Sequence, residues 1–187
     1  MAIQSILLMG NPLLLQRSEV VNDPTSAEIK QLAVDMQETL EAVSGIGLAA
    51  PQIGVHKRVV VFCLPPSRIP AGAKTRPIPW TTMINPTVEP QGESCIELWE
   101  RCLSVPGLYA RVPRFAHCVV RYTTTDGESV SRECKGYTSA LLQHECDHLD
   151  GILYPHRLPD ARGLSYVAEV CAGGSVYAYS AQEFDGD

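Results

Sequence analysis

Apolar and polar positions first settle into a regular pattern over residues 25–43. Ile29, Leu32, Ala33, Met36, Leu40 and Val43 recur three or four positions apart, the spacing that lines one face of an α-helix. Thr25 and Glu28 have the spacing of a capping box, which predicts the helix start, and Gly45 is expected to stop it. The next apolar run, RVVVFC at 58–63, is short and β-branched and predicts a strand. Residues 65–79 are rich in proline and glycine and read as a loop. Further strands are expected over 82–88 and 93–100, divided by Pro90-Gln91-Gly92, and over 114–125 and 128–134. The last two flank Asp126-Gly127, a pair that tolerates positive φ and predicts a type I′ hairpin. A second helix is expected from Thr138 or Ser139 to Leu149, ended by Asp150-Gly151. Strands first and a buried helix after them indicate an α+β domain. Residues 164–170 are readable as helix or strand, Gly173-Gly174 breaks that segment, and the acidic end EFDGD is expected to fray.

Composition narrows the function classes. A chain of 187 residues suits one domain with a sizeable core. The charge is −6, from 15 basic and 21 acidic residues, with no basic run, so no direct nucleic-acid partner is expected. No apolar run approaches bilayer-spanning length, and no membrane association is expected. The opening MAIQSILLMG lacks a basic start and a small-residue cleavage site, and Asn11-Pro12 interrupts it, so it reads as mature structure. The seven cysteines are odd in number and form no CxxC, which points away from a disulfide scaffold and towards a reducing cytoplasm. Most of these thiols are expected to be small buried hydrophobes.

Candidate chemistry lies in QHECDHLD at 143–150. On a helix, residues four apart stack on one face, so His144 and His148 can bind one metal. Glu145 then lies close to water at that metal and can take its proton. A catalytic site of this type needs a third protein ligand. The metzincin pattern fails, because Tyr154 stands where a third histidine belongs and His156 comes two residues late. A thermolysin-like pattern survives on spacing, with Glu169 21 residues beyond His148, but lacks that family's flanking asparagine and aspartate. Cys102, in WERCLSVPG, is a third source, since a thiolate suits a borderline metal. Composition alone does not separate it from the other six cysteines.

Three stretches in order, GIGLAAPQIG at 45–54, ERCLSVPG at 100–107 and QHECDHLDGILY at 143–154, resemble the peptide deformylase motifs GxGLAAPQ, EGCLS and HExDH. The first and third match at every specified position, and the second differs only at Arg101, where the motif has glycine. ILLMGNPLLLQRSEVV also resembles the family's opening, with Asn11 where aspartate is common; the resemblance covers about residues 3–160. It implies an α+β fold with antiparallel sheets packed around a central helix carrying HExDH. It implies one catalytic domain over 1–170 and a divergent tail over 171–187. The implied activity is hydrolytic removal of the formyl group from the N-terminal formyl-methionine of nascent polypeptides, in the cytoplasm and at the ribosome.

Residue by residue, the resemblance implies that Cys102, His144 and His148 bind the metal and that Glu145 is the acid–base. It implies that the Gln52 amide and the Leu103 backbone N–H stabilise the oxyanion, and that Gly45, Ile46, Gly47 and Glu100 are substrate-binding positions. The implied cofactor is one divalent ion, ferrous iron in the cell, with zinc, nickel or cobalt able to substitute. A non-catalytic relative with a closed metal site is the alternative outside enzymes, and intact Glu145 and Gln52 argue against it. Arginine lacks glycine's conformational freedom. Arg101 is therefore expected to point to solvent or over the cleft, the latter shifting substrate preference. Cys146, two residues from His144, faces another side of the helix and is expected in the core.

Overall fold

The computed structural model describes residues 3–70 and 72–172. Gly173-Gly174 and the acidic end, read above as a break and a frayed end, lie outside the described residues. The elements run α1 (Ala27–Ala42), β1 (Gly47–Ala49), β2 (Val59–Leu64), β3 (Ile78–Pro90), β4 (Cys95–Cys102), β5 (Val105–Phe115), β6 (His117–Thr123), β7 (Ser129–Lys135), α2 (Gly136–Leu149), β8 (Ser165–Tyr166) and α3 (Val167–Ala172). Five strands form one antiparallel sheet in the order β1-β2-β3-β6-β7, and β4-β5-β8 form a second antiparallel sheet. α2 touches strands of both sheets. The fold is thus α+β, with the HExDH helix between antiparallel sheets.

β2 explains the unbroken apolar run. All six of its residues are buried. Val60, Phe62 and Leu64 pack with Leu142, Cys146 and Leu149 of α2, while Val59 and Val61 pack with Ile29, Met36 and Leu40 of α1. Alternate side chains of a strand covered on both faces each meet a helix, so no polar position interrupts the run. A third cluster joins Cys102, Val105, Ala110 and Val112 of the β4–β5 hairpin to Leu153 and Tyr154.

Several boundaries differ from the sequence expectation for local reasons. Ser26, not Thr25, caps α1 by accepting from the Ile29 N–H, while the Thr25 hydroxyl donates to Asp23 at 2.8 Å. The left-handed residue after α1 is Ser44 (φ 52°), while the Gly45 N–H closes back on the Leu40 carbonyl. At Asp126-Gly127 only the glycine takes positive φ, and the Thr124 N–H bonds the Glu128 carbonyl, a longer turn than type I′. The segment expected as one strand over 114–125 is split at Ala116, so that Arg114 belongs to β5 and Cys118 to β6. β5 itself went unforeseen, since Pro106, Gly107 and Pro113 mimic a loop. Pro113 is tolerated because β8 pairs only with Leu108 and Tyr109, leaving that part of β5 an edge. Residues 164–170 hold both a short strand and a helix start.

Candidate active site

α2 is buried as its apolar flanks lead one to expect: Thr138–Ala140 and Leu142–Leu149 are all buried. The helix begins at Gly136, whose φ of 51° lets the chain leave β7 sharply. One turn separates His144 from His148, and their rings meet edge-on with centroids 5.1 Å apart. Cys102 ends β4 at the tight turn through Leu103 and Ser104 into β5, and the register pairs it with Val105. That turn points its Sγ inward, 3.3 Å from His148 Nε2. One ligand-type atom from each of Cys102, His144 and His148 lies within 4.8 Å of the others, and all three residues are buried.

The two alternative third ligands stand elsewhere. Glu169 is exposed on α3, and His156 is exposed, with its Nδ1 accepting from the Leu153 N–H. Neither joins the Cys-His-His group. The thermolysin-like arrangement therefore fails in space, although its spacing along the chain fits.

Charges around the group are fixed by hydrogen bonds. Glu100, expected among the substrate-binding residues, lines the cleft but has both oxygens engaged. Arg114 grips it through Nε (2.7 Å) and Nη2 (2.9 Å), and Glu100 Oε2 lies 2.7 Å from His144 Nδ1. Burial alone would push Glu100 up, but Arg114 and His144 hold it down at about 2. The Nδ1 contact leaves His144 Nε2 to face Cys102, the usual way a carboxylate sets a ligand histidine's tautomer. Arg114 also reaches Asp147 at 2.5 Å, and Arg157 binds the same carboxylate at 2.6 Å. Burial disfavours a Cys102 thiolate, yet His148 and His144 hold its pKa well below the usual thiol range. Burial likewise opposes charge on His144, which Cys102 and Glu100 hold well above the ordinary histidine range.

Glu145 is different. Burial pushes its pKa up, and Oε2 has no hydrogen-bond partner among the described residues. The residue lines a cleft of about 800 Å³ together with Gly45, Ile46, Gly47, Gln52 and Leu103. Gly47 backs directly onto Glu145, so a methyl group built there would overlap the carboxylate. A methyl built on Gly45 would instead strike Leu40 of α1. Both glycines thus serve packing within the protein. Gln52 sits in the 3₁₀ turn Ala50–Ile53. The Ala49 N–H donates to its Oε1 at 2.8 Å, which aims Nε2 at Cys102 Sγ (3.5 Å) and Ser104 Oγ (3.1 Å).

Cys146 packs in the core between α2 and the five-stranded sheet, and burial raises its thiol pKa. Arg101 is exposed, lines the cleft and donates Nη1 to the Tyr109 hydroxyl at 3.3 Å. Its backbone is not left-handed, so replacing the motif glycine imposes no φ strain. Sequence reasoning missed Arg114. A usable signal was its place two residues after Val112 and four after Ala110, all on the buried side of β5.

The chain matches the family model for polypeptide deformylase over residues 3–163. It is 42% identical over 185 residues to "Peptide deformylase 1" of Prochlorococcus marinus, covering 98% of this chain and 95% of that one. It is also 42% identical to "Peptide deformylase 1" of Nitrosomonas europaea over 176 residues, covering 93% and 98%. Among solved structures, peptide deformylase from Ehrlichia chaffeensis in complex with actinonin superposes with TM-score 0.78 at 33% identity, covering 87% of this chain and 92% of that one. A Met-Ala-Ser bound peptide deformylase from Acinetobacter baumannii gives TM-score 0.77 at 31% identity, covering 84% and 99%. With its three motifs brought to one cleft, the chain belongs to the polypeptide deformylase family, hydrolases that remove the N-terminal formyl group from nascent polypeptides.

Proposed function

We propose that Cys102, His144 and His148 hold one divalent metal ion beside the cleft, and that Glu145 is the general acid–base of deformylation. The observation that carries this reading is Glu145 Oε2, a buried oxygen without a partner, next to a thiol and two imidazoles within ligand distance of one another. The donor set fits such an ion: a thiol held towards thiolate and a histidine oriented by a carboxylate. An ion held there supplies Lewis acidity, acidifying water and polarising the formyl carbonyl. Glu145 takes a proton from the attacking water and returns it to the departing amine nitrogen. Gln52 Nε2 and the Leu103 N–H donate to the formyl oxygen as it becomes negative; losing one such donor costs about 2.7–4 kcal/mol of barrier. The backbone of Gly45, Ile46 and Gly47 aligns the peptide, and Glu100 holds His144 in register.

Thiolate and imidazole ligands accept iron, zinc, nickel and cobalt, and ferrous iron is the ion we assign in the cell. The substrate is a newly made chain, which places the work at the ribosome in the cytoplasm. Cys63, Cys95, Cys102, Cys118, Cys134 and Cys146 are free thiols, which suits that reducing compartment. A single catalytic domain over 1–170 accounts for the chemistry, supported by the family match to residues 3–163.

Formate release from formyl-Met-Ala-Ser tests the reading, using protein purified without oxygen and loaded separately with each of the four metals. Glu145→Ala is expected to lose about 10²–10⁴-fold in kcat, and Cys102→Ser to lose both bound metal and activity. Wild-type release that persists in Glu145→Ala would sink the assigned role.

A further inference from the structure

We propose that Arg101 and Arg68 make the mouth of this cleft selective for formyl-methionyl peptides with an acidic side chain soon after the methionine, an inference that rests on the deformylase reading of the cleft. Both arginines line it. Arg101 is exposed and is held by the Tyr109 hydroxyl, while Arg68 is half-buried and its Nη2 donates to the Ser44 carbonyl. The two arise from different parts of the chain, β4 and the 3₁₀ turn Pro66–Arg68, yet line the same cleft. Burial pushes the Tyr137 hydroxyl up to about 12; Arg101 and Arg68 act against that rise, and Glu100 and Glu145 at the floor add to it more weakly. Tyr137 lines the cleft, so both charges act within it.

No exposed carboxylate lies among the described lining residues to offset them. Glu100 and Glu145 are both buried at the floor, and Glu100 is held there by Arg114 and His144. The chain as a whole carries −6, so this positive mouth runs against the overall charge. Low-dielectric walls focus such a field on an approaching ligand. The effect needs only charge at the mouth, not an idle donor. A bound peptide with its formyl group beside Glu145 must run outward past the mouth, where a side-chain carboxylate would meet the two guanidinium groups.

The test compares kcat/KM for formyl-Met-Ala-Asp, formyl-Met-Ala-Ser and formyl-Met-Ala-Lys, all C-terminally amidated so that only the side chain differs in charge. The wild-type protein is expected to favour aspartate over serine by about three- to tenfold and to disfavour lysine, the range for one or two partly exposed ion pairs. The preference should lie in KM and shrink as salt rises from about 0.05 M to about 0.5 M. Arg101→Gln or Arg68→Gln should each reduce the aspartate-to-serine ratio, and Arg101→Glu should bring it below one. Equal rates on the three peptides, or a ratio unchanged in Arg101→Glu, would overturn the inference while leaving deformylation intact. No formate from any peptide would overturn the deformylase reading and this inference with it.

Discussion

Gly47 and Glu145 are almost a hundred residues apart, and each limits the other. Because a methyl at Gly47 would overlap the Glu145 carboxylate, Gly47→Ala must displace a flexible side-chain end and not backbone. The fold should absorb that change, and the chemistry should not. We expect kcat for formate release to fall about 10²-fold, the lower end for a lost acid–base group, with a thermal midpoint close to wild type. A variant with normal kcat would mean that the carboxylate works from another position. Legibility at this scale is uneven. HExxH is local, so His144, Glu145 and His148 are readable from one helical turn. Cys102 is not, because what distinguishes it is an approach to His148 across 46 residues; only the shared motifs pick it out from six other cysteines. Arg114 is harder still, since an arginine between Pro113 and Phe115 reads as surface until its register on β5 is known.

Elements supply what single residues cannot. β4 brings Glu100, β5 brings Arg114 and α2 brings Asp147 and His144, and their side chains form one buried chain of charges. Arg114 is its only described side chain bonded to both Glu100 and Asp147. Arg114→Met would take from two buried carboxylates the cation they share, leaving Glu100 to His144 and Asp147 to Arg157. Breaking a buried pair in this way costs about 3–5 kcal/mol, to be read as a lower urea midpoint with an unchanged slope. Adding Asp147→Asn should restore part of the loss, since it removes one of the two buried charges that lost a partner, although Arg157 still binds it. A double variant no more stable than Arg114→Met would show that packing, not charge, dominates. An unbroken β-branched run reveals β2 and a period of 3.6 reveals α1, because apolar side chains fill both faces of the one and a single face of the other. Such patterns fail at β5, where prolines and a glycine sit in a strand whose edge tolerates them.

At the scale of the whole molecule, β3 and β4 adjoin in sequence but join different sheets, a separation no local pattern announces. The proposed metal centre lies across that division. Cys102 comes from the three-stranded sheet, and the two histidines come from α2, which touches both sheets but packs mainly on the five-stranded one. An ion bound there ties the two together and binds the native chain in preference to the unfolded one. At about a thousandfold excess over its dissociation constant, such a ligand adds about 4 kcal/mol of stability. For a chain of this size that corresponds to a rise in thermal midpoint of about 8–16 °C. Chelation should therefore lower the midpoint by this amount, and re-addition of ferrous iron, nickel or zinc should restore it. In Cys102→Ser the gap between chelated and metal-loaded protein should largely close, because one anchor of the link is gone. The Glu145→Ala variant should keep the gap while losing activity, since Glu145 is outside the ligand set. If chelation leaves the wild-type midpoint unmoved although the metal has left, the two sheets hold together by packing alone and the metal centre serves chemistry without contributing to the fold.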